Sequence, residues 1–456
     1  MKKRLIDLLF ILLFLVLCLI PSLGMLVFGE SEAAANEILA SRPSARNRDG
    51  SFNTELLSDF SDYIADRFAF RQEMVTAWSE INAKIFSASV EEQVILGSDG
   101  WLYYRETLDD YTGKGMSDTE LEYAAKNLAL MQEYAESHGA AFVFTIAPNK
   151  NSLYPEHMPS YYPKGHGASN AERLPELLDQ YGVNYVDLFA PFQQNEDVLY
   201  FSTDSHWNSR GAALAADHIL SGLRMESNYF SESFTNSVSH RGDLYEMLYP
   251  AGSMTEPDPQ LTSGFSYICE NDPNGGNAIT INTSAQDRDG SLLCWRDSFG
   301  ISLYPYLAEK FGQAVFSRAS AYDLSQIEAA GADAVIIELV ERNLEQLITA
   351  APVFAAPERK VSVGAQGEES FSVSVSAPKD DSGLYHITGD VPRSVTDPGS
   401  GVYLAVGEKI FEACVLRGPD DAQLSFSAWI AAENMDSLSL VLCSDNIFTI
   451  YHAEIK

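Results

Sequence analysis

The spacing of apolar positions changes along the chain, and each change marks a different kind of element. Residues 8–28 carry no charged side chain, and about 20 apolar residues suffice for a helix to cross the hydrocarbon core of a bilayer. Residues 29–50 lose any apolar period and read as a linker. Over 52–86 the apolar positions Leu56, Leu57, Phe60, Ile64 and Phe68 recur at helical spacing, which predicts helix. Val94-Ile95-Leu96 and Trp101-Leu102-Tyr103-Tyr104 flank Ser98-Asp99-Gly100 and read as a hairpin with a glycine-containing turn.

Beyond the hairpin, short apolar runs alternate with amphipathic stretches. Strands are expected at 141–146, 185–187, 291–295, 314–316 and 334–339. Helices are expected at 117–138, 170–181, 209–224, 301–311, 323–330 and 342–350. Ser117-x-x-Glu120 has the form of a capping box. Residues 225–290 are less regular and read as an inserted loop or hairpin. Buried strands alternating with helices predict an α/β fold, a parallel sheet covered on both faces. Functional residues then belong at the carboxyl ends of strands. After Pro357 the period falls to two, at 371–376, 402–406, 411–416, 424–429 and 438–442, with turns at 380–383 and 418–420. Residues 361–456 therefore read as a small all-β domain, a sandwich.

Charge and composition narrow the function classes. The chain carries 30 Lys+Arg against 64 Asp+Glu, a net −34, and so lacks the basic face a nucleic-acid binder needs. With 46% hydrophobic residues it is not a disordered chain. Five cysteines in 456 residues make no disulfide framework. Cys414 and Cys443 fall in the β region, as either a pair formed outside the cell or two buried thiols. Lys2, Lys3 and Arg4 precede the first apolar run and belong on the cytoplasmic side. The expected organisation is a transmembrane anchor at 1–28, a linker at 29–50, a catalytic domain at 51–358 and the β domain at 361–456. That is a single-pass membrane protein with its catalytic domain outside the cell. A cleaved signal peptide competes, with Ala33-Ala34-Ala35 as its cleavage site, but the apolar run exceeds the usual ~7–15 residues of a signal h-region.

Two segments after predicted strands carry candidate chemistry. In Thr203-Asp204-Ser205-His206-Trp207-Asn208 an acid stands two residues before a histidine it can orient. In Asp297-Ser298-Phe299-Gly300 a serine lies between a strand and a helix, where helix N-terminal N–H groups can hold an oxyanion. A serine nucleophile needs a base, and the base an orienting partner. Ser298, His206 and Asp204 supply those roles. A helix cap explains either segment taken singly. A metal set of Asp204, His206 and His240 is the lesser reading, and no metal or cofactor is expected; no Walker or clustered-cysteine motif occurs.

These segments belong to an ordered series: Asp66-Arg67-Phe68-Ala69-Phe70-Arg71, Gly97-Ser98-Asp99-Gly100-Trp101-Leu102-Tyr103, Pro148-Asn149-Lys150 with Tyr154-Pro155, the Asp204 segment, Gly242-Asp243-Leu244, Asp297-Ser298-Phe299 and Glu341-Arg342-Asn343-Leu344. In that order they resemble the alginate O-acetyltransferase-like (AlgX/AlgJ) branch of the SGNH hydrolases, and especially its DHHW proteins. The resemblance implies an SGNH-like, flavodoxin-like sheet and makes Ser298 the nucleophile, His206 the base and Asp204 its orienter. The chain order Asp, His, Ser is that of this branch, which is similar to a circular permutation of ordinary SGNH enzymes. Tyr304 resembles a family tyrosine that supports the oxyanion. Lys150, Arg342 and Trp207 are further candidates for substrate contact, with a structural role open for Lys150 and Arg342. Ser205 departs from the family, replacing the first histidine of D-H-H-W. The implied activity is O-acetylation of a polysaccharide or cell-wall glycan. The implied acyl source is a membrane-embedded partner of the MBOAT class. A carbohydrate acetylesterase with the same triad and a non-catalytic glycan-binding protein are the alternatives. By position the β domain resembles a carbohydrate-binding module.

Overall fold

The computed structural model of the chain describes residues 2–33, 39–271, 276–378, 383–397, 399–431, 435 and 437–456. Ala34 and Ala35 of the small-residue stretch, and most of the turn at 380–383, lie outside them. The chain opens with α1 (Lys2–Phe28), whose stretch Ile6–Phe28 is long and apolar enough to cross a membrane.

The single helix expected over 52–86 is two, α2 (Leu56–Arg67) and α3 (Arg71–Phe86). They break because Phe70 sits in the left-handed region at φ 65°, a conformation that costs a non-glycine residue of order 1–3 kcal/mol. The Phe70 ring packs edge-on against Phe28 at 5.3 Å. A Cβ on Gly24 would meet Ala69 at 2.8 Å and Phe70 at 2.9 Å, so a glycine lets α1 approach this bend. Ser31 N–H donates to Arg67 O at 3.0 Å and Gln72 to Glu32 O at 2.7 Å, tying the end of α1 to both helices.

Strands β1 (Val94–Leu96) and β2 (Leu102–Tyr104) form the expected hairpin, with Asp99 and Gly100 at positive φ in its turn. The alternating region then supplies α4 (Asp118–Ser137), β3 (Ala141–Ala147), α5 (Asn170–Gln180), β4 (Tyr185–Val186) and α6 (Ser209–Gly222). Ser117 and Glu120 close the capping box of α4 reciprocally. The irregular stretch holds β5 (Phe234–His240), α7 (Asp243–Leu248), β6 (Glu256–Leu261), β7 (Ile268–Cys269) and β8 (Thr280–Ser284). The pattern resumes with β9 (Ser291–Trp295), α8 (Gly300–Ala308), β10 (Gln313–Ser317) and β11 (Ala334–Val340).

The central sheet runs β4-β3-β11-β9-β10-β8-β7. Its first five strands are parallel, and β8 and β7 extend one edge antiparallel. In chain order the parallel strands lie 2-1-5-3-4, not the flavodoxin order 2-1-3-4-5. Side chains alternate between two cores. Phe142, Phe144, Leu293, Trp295, Val335 and Ile337 face one core, with α4 and α5. Val143, Ala147, Leu292, Cys294, Ala334 and Ile336 face the other, with α6 and α8. Both faces are thus covered, as strands apolar on both sides require.

The remaining chain is all β: β12 (Glu358–Arg359), β13 (Val363–Ser376), β14 (Leu384–Pro392), β15 (Gly401–Val406), β16 (Lys409–Glu412), β17 (Cys414–Arg417), β18 (Gln423–Ala431), β19 (Leu438–Ser444) and β20 (Ile447–Ile455). Their order is β12-β16-β15-β19-β20-β13-β14-β18-β17. The run expected at 411–416 divides at Ala413, so one stretch of chain pairs near one end of the sheet as β16 and at the other as β17. Such a switching strand curls the sheet over itself. Phe371, Val373, Ile387 and Leu404 share one core with α4, so the two bodies pack without a solvent gap. Cys414 and Cys443 are both free thiols.

Candidate active site

The segment 200–207 folds back on itself, with Tyr200 bridged to Trp207 and Asn208 N–H donating to Leu199 O at 2.9 Å. Asn208 then caps α6 by accepting from Gly211 N at 3.0 Å. Lys150 shapes this loop from beneath: its buried Nζ donates to the carbonyls of Phe201 at 3.2 Å, Ser202 at 3.0 Å and Asp204 at 2.6 Å. The ammonium also lies over the rings of Trp101 and Tyr103, 5.5 and 5.2 Å from their centroids. Burial lowers the Lys150 pKa to about 8, against the pull of Asp204, Asp243 and Glu256. Glu256 accepts from the N–H groups of Ser202 and Thr203 at 2.8 and 2.9 Å. Gly242 abuts the Thr203 carbonyl so closely that a Cβ there would collide with it.

Asp204 is buried at the centre of this frame. Its Oδ1 accepts from His206 Nδ1 at 2.6 Å and from His206 N at 2.9 Å. Its Oδ2 meets His240 Nε2 at 2.8 Å and accepts from Asp243 N at 2.9 Å. Asp243 in turn accepts from Ser205 N at 2.8 Å through Oδ1 and from Ser205 Oγ at 2.6 Å through Oδ2, which also lies 3.5 Å from His206 Nδ1. Burial would raise the Asp204 pKa, but His206 and His240 outweigh it and hold the carboxyl well below its ordinary value. Burial would lower the His206 pKa, and the Asp204 carboxylate outweighs that, so the imidazole titrates above its ordinary value. Asp243 is pushed up by burial and by the Asp204 charge.

Ser298 follows β9, half-buried, one residue before Phe299 opens α8. Asp297 fixes that turn, accepting from Phe299 N at 2.9 Å, Val340 N at 2.7 Å and Asn343 Nδ2 at 2.9 Å. The Phe299 N–H, an expected oxyanion donor, is therefore already committed to Asp297. The two segments are tied together by Trp207 Nε1, which donates to Phe299 O at 3.1 Å. His206 lies 4.8 Å from the Phe299 ring, centroid to centroid. His206, Asp204, His240, Asp243, Ser298 and Arg342 line one cavity of about 650 Å³. His206 Nε2 is buried with no hydrogen-bond partner among the described residues, and no hydrogen bond joins it to Ser298 Oγ. The arrangement is a base oriented by a carboxylate, its free nitrogen unsatisfied, in a cleft that also holds a serine.

The other candidates divide. Arg342 lines the cleft with its guanidinium 5.6 Å from the Phe299 ring centroid and 5.3 Å from that of Tyr104. Lys150 does not line it; all its reach is spent on backbone carbonyls. Trp207 borders the cleft but is 0% exposed, with its Nε1 donating to Phe299 O. Tyr304 is not at the cleft either: it is buried on α8 among Tyr267 and Phe316, on the side facing β10. The reason is helical phase, since Ile301 and Ser302 are the α8 residues that line the cleft. The sequence joins His240 to Asp204 and His206 only in the lesser, metal reading, and signals Asp243 only through the Gly242-Asp243-Leu244 motif; both come from beyond α6. Asp204, His206 and Asp243 each offer a ligand atom within 4.8 Å of the others, a spacing a cation can bridge. An ion bound through His206 Nδ1 would displace the 2.6 Å Asp204–His206 hydrogen bond.

Residues 94–275 match the family described as the SGNH hydrolase-like domain of the acetyltransferase AlgX. That match takes in Asp204, His206, His240 and Asp243 and ends before Ser298. Probable alginate O-acetylase AlgJ of Pseudomonas syringae pv. tomato is 27% identical over 194 residues, 40% of this chain and 48% of that protein. Its counterpart in Pseudomonas aeruginosa is 24% identical over 205 residues, 43% and 51% of the two chains. The chain thus spans about half the length of the curated relatives it matches, and they are the relatives to which the ordered motifs point. Among solved structures, Bacillus cereus PatB1 with a sulfonyl adduct superposes with a TM-score of 0.44 at 16% identity, covering 55% of this chain and 95% of that one. The O-acetyltransferase domain of Pseudomonas putida AlgJ gives 0.39 at 19% identity, covering 55% and 91%. A DHHW family protein from Eubacterium siraeum gives 0.40 at 14%, covering 56% and 97%.

Proposed function

We propose that this chain is a membrane-anchored O-acetyltransferase that works outside the cell on a polysaccharide or wall glycan. The observation that carries the reading is the Asp204–His206 pair, its Nε2 unpartnered among the described residues, with His206 and Ser298 lining one cleft. The alginate O-acetylase relatives supply the acyl group and the class of acceptor. The sheet is consistent with an SGNH-like order: counted from β9 onward and then round to β3 and β4, its parallel strands run 2-1-3-4-5. That is the flavodoxin order in circularly permuted form. The apolar α1 behind Lys2, Lys3 and Arg4 supports an uncleaved anchor with the body outside.

In this reading Ser298 Oγ attacks the acyl carbonyl and His206 Nε2 takes its proton. That proton goes to the departing donor group, leaving an acyl-serine. A sugar hydroxyl then attacks the ester, passes its proton to His206, and Ser298 Oγ leaves and recovers it. Asp204 holds Nδ1 and stabilises the imidazolium. Arg342, which makes no ion pair among the described residues, faces the carbonyl oxygen as charge develops there. The acyl group arrives from a membrane partner of the MBOAT class.

The test uses a fluorophosphonate probe with the native chain and with Ser298→Ala, followed by glycan acetylation in cells carrying each. Labelling of the native chain and its loss in the variant, with acetylation lost as well, is the expected result. An unlabelled native chain, or normal acetylation with Ser298→Ala, rejects the proposal. Release of acetate from an acetylated glycan without transfer identifies an esterase.

A further inference from the structure

We infer that α3 is an interfacial helix, with its apolar stripe seated in the outer surface of the bilayer that α1 crosses. The inference rests on the reading of α1 as an uncleaved anchor. Met74, Trp78, Ile81 and Ile85 recur at i, i+4, i+7 and i+11, and all four are exposed; Trp78 is 57% and Ile85 68% exposed. Phe86, at the end of α3, is exposed as well. The opposite face carries the only buried residue of α3, Ser79, and packs on α7. A surface helix of a globular body turns its apolar stripe inward. This one turns it outward, and none of the described residues covers it.

The start of α3 indicates what does. Phe70, the residue before α3, packs ring to ring with Phe28, the last residue of α1, and Gly24 abuts Phe70 one turn earlier. At about 1.5 Å per residue the uncharged stretch 8–28 spans about 30 Å, the thickness of the hydrocarbon core. Phe28 then lies at the outer boundary of that core, and Phe70 launches α3 from the same depth. Tryptophan favours this level, and amphipathic helices lie in it with polar residues outward, here Glu73, Glu80 and Lys84. The net −34 of the chain gives no attraction to anionic lipid, so apolar insertion, not charge, is what seats the helix. Because α3 packs on α7 and Asp243 of α7 lines the cleft, the seating also sets the height of the cleft above the bilayer.

The full chain is placed in nanodiscs of zwitterionic phosphatidylcholine, with either ordinary or bromine-labelled acyl chains. Trp101, Trp207 and Trp295 are buried and Trp429 is half-buried, so Trp78 is the readily accessible reporter. Trp78→Phe identifies its emission by subtraction. The expected result is a Trp78 component that is blue-shifted, loses intensity with brominated lipid and resists aqueous iodide. A Trp78 component equal in both lipids and open to iodide overturns the inference. A component shielded from iodide only in native membranes, and untouched by brominated lipid, assigns the stripe to a membrane protein and overturns it too. Recovery of the chain outside the disc fraction would instead defeat the anchor reading, and neither readout depends on catalysis.

Discussion

Asp204 serves two imidazoles, one on each oxygen, and the balance between them sets the basicity of His206. In the proposed reaction His206 is the general base, which works when neutral. Because Asp204 and Asp243 hold His206 above its ordinary value, kcat/KM is expected to rise with pH through that elevated value and to fall below it. Asp243→Asn removes one of the charges that raise it, so the ascending limb should move to lower pH. A pH–rate profile of the two proteins measures this; an unmoved limb would mean Asp243 is silent at His206. His206→Gln should cost about 10²–10⁴-fold in rate, the usual worth of a positioned base. The sequence displays Asp204 and His206 because they are two residues apart on one turn. It does not display His240, whose contact with Asp204 is made only when β5 returns alongside the loop. Ser205, a departure from D-H-H-W, has a local role: its hydroxyl is a donor to Asp243.

The 200–207 loop lies outside the strands of the sheet, and one buried ammonium holds three of its carbonyls. Lys150→Met removes the donor of three carbonyls, each costing about 1–3 kcal/mol when left buried and unpaired. Thermal unfolding should come several degrees earlier, and kcat should fall with KM little changed, because Lys150 does not line the cleft. A raised KM at unchanged thermal stability would return it to the substrate-contact role. The motif Pro148-Asn149-Lys150 made this lysine visible, but no spacing rule tells a carbonyl-plugging lysine from a ligand-binding one. Elements were legible where the apolar period was strong: β3, β9 and β11 are apolar on both faces. The polar strand Thr280–Ser284 was not, since this antiparallel strand beside the short edge strand β7 fully buries only Ile281 and Thr283, on one face. The break between α2 and α3 was hidden because Phe70 supports its left-handed turn through contact with α1, a partner more than forty residues away.

The α/β body and the β body meet through Asn127, which is buried between them. Its Nδ2 donates to Leu347 O and Val415 O at 2.9 Å each, and its Oδ1 accepts from Val415 N at 3.2 Å. With one apolar core running across the junction, the two should unfold in a single calorimetric transition. Asn127→Ala should lower that stability by on the order of 3 kcal/mol, read from denaturant midpoints. Two resolved transitions in the native chain would show the junction to be weak. The change of period after Pro357 exposed this second body in the sequence, though not its closure through Ala413, because one unbroken apolar run hides a strand that serves both ends of a sheet. The permuted strand order has a temporal side as well. β3 must pair with β11, which is made about 190 residues later. At roughly 5–20 residues per second, the middle of the sheet stays open for about 10–40 s of synthesis, its hydrogen-bonding edge unpaired. A nascent chain of this design needs shelter for that interval, and slowing translation between Ala147 and Ala334 would lengthen the window in which it can pair with the wrong neighbour.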